Sequence, residues 1–164
     1  LAAQTQQGET EMQNYIDALV AHNNAEAAKA EAECKATREK IKTVKSQRTA
    51  LAAKILGVPE KEVSAVTTKY DGLRTGVKRW PGVTLILRGN KAWDANRGAV
   101  KELEAKLDQC CKTERAAKER NSEKTMFAFR RFVRARFGQK PTTPAKQVIA
   151  EFIESMQPFS CKAK

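Results

Sequence analysis

Between Gly8 and Gly57 the chain runs 48 residues, 9–56, without a glycine or a proline. Ala, Glu and Lys dominate the stretch, and residues of that kind over that length have one regular option, an α-helix. Its apolar positions confirm the period. In the second half the stripe is Ala30, Cys34, Thr37, Ile41, Val44, Arg48, Leu51 and Ile55, six of the eight apolar with Cys counted. Steps of four and three alternate there, as in a helix that packs along one seam against a second helix. In the first half the stripe is Met12, Ile16, Leu19, Asn23, Ala27 and Ala30, with one extra step of four after Asn23 that shifts the phase. Gly57 then stops the helix, and Pro59 follows.

Residues 58–91 change character. Pro59 to Tyr70 can form a short helix, and Asp71-Gly72, Gly76, Pro81-Gly82 and Gly89-Asn90 are turn signals. The run at 83–88, VTLILR, has strand composition but no partner strand, so it reads as an irregular segment with helix as the fallback. A second long helix is predicted over 92–137, ending at Gly138, with Met126, Phe127, Phe129, Phe132, Val133 and Phe137 among its large apolar groups. Thr143 and Pro144 are N-cap and first-turn residues for a last helix over 144–157, with Ala145, Val148, Ile149, Phe152, Ile153 and Met156 as its buried face.

The expected fold is therefore all-α. It is a single domain, an elongated antiparallel hairpin of two long helices joined by a crossover, with the C-terminal helix packing back to give a three-helix-bundle-like body. Both long helices rise by about 1.5 Å per residue, so residues that face each other keep a constant sum of residue numbers. Pairs summing to 144 or 145 match apolar to apolar: Ile41 with Leu103, Val44 with Val100, Leu51 with Trp93, Leu19 with Met126, Ile16 with Phe129 and Met12 with Val133. Residues 1–33 carry six acids and one base, residues 112–140 ten bases and three acids, and the same register lays them side by side.

That register speaks to an odd feature, the adjacent pair Cys110-Cys111 in a chain with four cysteines. Cys110 falls opposite Cys34. Cys111 is turned by about 100° toward the last helix, which carries Cys161 in its direction. A bond between Cys110 and Cys111 themselves would need Cα atoms farther apart than the ~3.8 Å of neighbouring residues. The expectation is a disulfide-stapled fold, Cys34 bonded to Cys110 or Cys111 and Cys161 to the other. Metal binding and cofactors are not expected, because no C-x-x-C spacing occurs and the one histidine, His22, is remote from the cysteines.

No catalytic motif is present, so the protein is expected not to be an enzyme. No apolar run is long enough to span a membrane. The net charge of +12 suits an acidic partner. The expected partner-binding end is the crossover, where Tyr70, Arg74, Lys78, Arg79, Trp80 and Arg88 interleave bases with aromatics. A cap that merely closes the helix pair is the competing role. A second basic stretch, FAFRRFVRARF at 127–137, reads chiefly as core with a basic outer face. These features point to a non-catalytic helical-bundle protein that binds or builds through protein–protein contact. The alternative is a basic protein that binds nucleic acid or anionic lipid through 69–101 and 127–137. Starting at Leu1 with an even number of cysteines, it fits a secreted or cell-surface protein after leader removal, or else an organellar protein or part of a large complex.

Overall fold

A computed structural model describes residues 2–63, 87, 89–138 and 141–156, with side chains from residue 8 onward. The regular structure of the described residues is all helical. Helix α1 spans Ala2–Leu56, α2 Lys91–Glu119, α3 Glu123–Phe137 and α4 Ala145–Met156. There is no strand among the described residues, and Leu87, the described member of the VTLILR run, is helical. No helix among the described residues is long and apolar enough to cross a membrane.

Helix α1 starts earlier than its sequence pattern requires, with Gly8 inside it. It ends at Leu56, where Gly57 takes φ +66° and the Val58 amide donates to the Ala53 carbonyl at 3.1 Å. That bond closes a Schellman cap, and Val58 packs on the cluster that contains Ala53.

The second long helix is not continuous. Arg120, Asn121 and Ser122 form a turn between α2 and α3. Ser122 is extended (φ −66°, ψ 152°) and its side chain accepts from the Thr125 amide, so α3 begins on its own N-cap. Helix formers surround the site, but the cap and the polar contacts of Asn121 satisfy the backbone and side chains better than an unbroken helix would. The chain divides into two compact units: residues 1–31 with 112–164, and residues 32–111. The boundaries fall inside α1 and α2.

In the first unit the start of α1 packs antiparallel to α3, and α4 packs on both. Met12, Tyr15, Ile16, Leu19, Phe129, Val133, Val148, Ile149 and Phe152 form its core, with Met126, Phe132 and Phe137 against it. All three apolar pairs predicted for this part thus share one cluster. The Phe129 and Phe152 rings meet edge to face at 4.9 Å between centroids. The Tyr15 hydroxyl donates to the Thr143 carbonyl and lies 3.3 Å from that of Pro141, tying the loop before α4 to α1. Two residues predicted as apolar packing groups are outside: Phe127 is 64% exposed and Met156 43%. Phe127 sits two residues from Phe129, about 200° round the helix, so burying one turns the other outward.

In the second unit the rest of α1 runs antiparallel to α2, with Cys34, Thr37, Ile41, Val100 and Cys110 buried between them. Asn96 donates to the Val44 carbonyl at 3.1 Å and accepts from Arg48 Nε at 2.9 Å, and Lys45 pairs with Glu104 at 3.2 Å. A separate cluster, Ala52, Ala53, Val63 and Leu87 with Ile55, Leu56, Val58 and Trp93, closes the end of this helix pair. Leu51, predicted to meet Trp93, is only half-buried, and Ala52 and Ala53 take the inner positions.

Candidate functional site

The predicted binding residues Tyr70, Arg74, Lys78, Arg79, Trp80 and Arg88 lie outside the described residues, as does Cys161. What is described on either side of the crossover is packed. Residues 60–63 are helical, Val63 and Leu87 are buried together, and Trp93 packs on them with the Arg48 guanidinium 5.6 Å from its ring centroid. Trp93 therefore serves the core of the second unit.

The three described cysteines converge on one place in the second unit, where the Cys34 sulfur meets that of Cys111. Cys34 Sγ stands 3.6 Å from Cys111 Sγ, while the Cys110 thiol donates toward Glu33 Oε2 at 3.7 Å. No two sulfurs among the described residues are at bonding distance. The two neighbours straddle the seam: Cys110 turns toward Glu33 and Cys111 toward Cys34, whereas the register set Cys110 opposite Cys34 and turned Cys111 toward the last helix. Cys34 and Cys110 are buried and Cys111 is half-buried. The Arg38 guanidinium lies 4.0 Å from Cys111 Sγ. No cluster of three or more candidate metal ligands exists among the described residues.

In the first unit the outer face of α3 is the other chemically distinct surface. The core takes Thr125, Phe129 and Val133, and the 3.6-residue period then collects Lys124, Phe127, Arg130, Arg131 and Arg134 on the opposite, exposed side. Arg131 stands over the Phe127 ring at 6.0 Å. Two other arginines of this unit hold carboxylates: Arg120 bonds Glu26, and Arg136 bonds Glu151 at 3.3 Å. Lys124, Arg130, Arg131 and Arg134 have no ion-pair partner among the described residues. The helical period applied to 123–137 alone would have separated Phe127 from the core residues. Counting it among the large apolar groups hid that signal.

No family model, curated protein or solved structure matches the chain.

Proposed function

We propose that this is a non-catalytic helical binding protein that works through contact with a protein partner presenting an acidic face. The observation that carries the reading is the outer side of α3, where an exposed phenylalanine is set among four cations that no carboxylate of the described residues neutralises. Arginine and aromatic residues concentrate at binding hot spots, and the arginine fork matches a carboxylate in two bonds. The aromatic and basic crossover residues, Tyr70, Arg74, Lys78, Arg79, Trp80 and Arg88, form a second contact region in this reading. The reading also includes the disulfide staple, with Cys34 joined to one of the adjacent pair and Cys161 to the other, and a place at the cell surface or outside the cell.

A second reading uses the same α3 face with residues 69–101 to hold nucleic acid or anionic lipid, and the sequence pI of about 9.7 favours it. Immobilised protein, incubated with extract of its source before and after nuclease treatment, separates the two. Protein contact through an apolar anchor retains the partner in about 0.5 M salt, whereas binding through four phosphate contacts weakens about a hundredfold from physiological salt. Capture that requires intact nucleic acid, or that salt abolishes, would replace the first reading with the second.

A further inference from the structure

We infer that Cys34 and Cys111 form a dithiol–disulfide site that is oxidised through Cys111, and that Cys110 is held out of it. The inference rests on the stapled reading above and adds which sulfurs join and where an oxidant enters.

Three observations carry it. The Cys34 and Cys111 sulfurs, on facing helices of one unit, are already 3.6 Å apart, so a small side-chain rotation brings them to the ~2.05 Å of a disulfide. Of the three described cysteines, Cys111 alone is more than marginally accessible, because Cys34 and Cys110 are buried. An attacking reagent must therefore meet Cys111 first. The adjacent cysteines also have opposite electrostatic neighbours, Arg38 beside Cys111 at 4.0 Å and Glu33 beside Cys110 at 3.7 Å. A small disulfide that carries carboxylates is drawn to the first sulfur and repelled from the second.

The step is thiol–disulfide exchange with a low-molecular-weight disulfide, RSSR. Cys111, as thiolate, attacks one sulfur. The RS–SR bond breaks, one RS⁻ leaves with the electron pair, and a mixed disulfide remains on Cys111. Cys34 then loses its proton to solvent and attacks the Cys111 sulfur, and the second RS⁻ leaves. Two protein thiols are oxidised by two electrons, one RSSR is reduced, and both leaving thiolates take up protons from water. The product links residues 77 apart in sequence across the helix pair.

The test uses the whole chain, oxidised with glutathione disulfide, trapped with iodoacetamide and digested with trypsin. Peptides 30–35 and 107–112 hold the three cysteines, and fragment ions that split 110 from 111 identify the bonded sulfur. The expected product joins Cys34 to Cys111. Cys110→Ser oxidises at the parent's rate and Cys111→Ser does not form the bond. Arg38→Glu slows oxidation by glutathione disulfide about tenfold but leaves the rate with uncharged hydroxyethyl disulfide unchanged, as steering requires. A bond from Cys34 to Cys110 would overturn this inference and leave the stapled reading standing. No bond to Cys34 in any redox mixture would remove both. Equal slowing of Arg38→Glu with the two reagents would overturn the role given to the charge.

Discussion

Asn23 and Asn121 clasp side chains across the helix pair of the first unit: Asn23 Nδ2 donates to Asn121 Oδ1 at 3.0 Å, and Asn23 is 0% exposed. Its oxygen accepts from Arg120 Nε at 3.1 Å, and Arg120 also bonds Glu26. Asn121 in turn donates to Asn24 at 2.8 Å. A polar group on an otherwise apolar seam costs stability unless every atom is partnered, and no side-chain N or O buried among the described residues lacks a partner. The network sits where α2 gives way to α3. It fixes one register, because sliding either helix by a turn would bury Asn23 against apolar groups.

Asn23→Ala is expected to cost about 2–3 kcal/mol, since it leaves Asn121 and Arg120 short of a buried partner as well as removing a bond. Urea unfolding of the parent and the variant measures it. A loss below about 0.5 kcal/mol would show the clasp to be ornamental.

Two phenylalanines two residues apart should behave oppositely. Phe129→Ala removes a fully buried ring from the core and should cost about 3–5 kcal/mol. Phe127→Ala, on the exposed face, should leave the melting curve nearly unchanged and weaken partner binding by about 2 kcal/mol or more. Thermal melts and binding isotherms of both variants check this together.

The cap at Ser122 predicts a local effect. Ser122→Ala removes the acceptor for the Thr125 amide and should cost about 1 kcal/mol. Hydrogen exchange should quicken at residues 123–126 more than at the centre of α3.

Tyr15 predicts a loss of stability in alkali. Burial, then the nearby Glu11 carboxylate, raises its hydroxyl pKa above the ordinary value. The folded state thus holds the phenolic proton more tightly than the unfolded state, whose value is about 10. The stability this supplies is complete below about pH 10 and is lost as pH rises through the folded value. Melts at rising pH should fall more steeply for the parent than for Tyr15→Phe, which should itself lose about 1 kcal/mol at neutral pH through the missing bond to Thr143. Parallel curves for the two proteins would contradict this account.

Much of the pairing could be read from local pattern. The seam positions Met12, Ile16, Leu19, Asn23, Ala27, Ala30, Cys34, Thr37 and Ile41 are all buried, because a 3.6-residue period fixes which side chains share one side of a helix. Gly57 and Gly138 end α1 and α3 at the expected places, and both have positive φ, a backbone conformation that glycine adopts without a Cβ penalty. The antiparallel register followed from matching apolar groups, and Arg48 with Asn96 and Asn23 with Asn121 meet within it. How far each helix rotates about its own axis, and where it breaks, is set instead by all the contacts at once. Cys110 and Cys111 straddle the seam, so a small rotation exchanges their neighbours. The turn at 120–122 weighs a cap and an asparagine network against a few helical bonds. Phe127 faces outward because α3 has one core-facing side and Phe129 occupies it. These are differences between competing arrangements of the same local pattern, and only the packed tertiary structure resolves them.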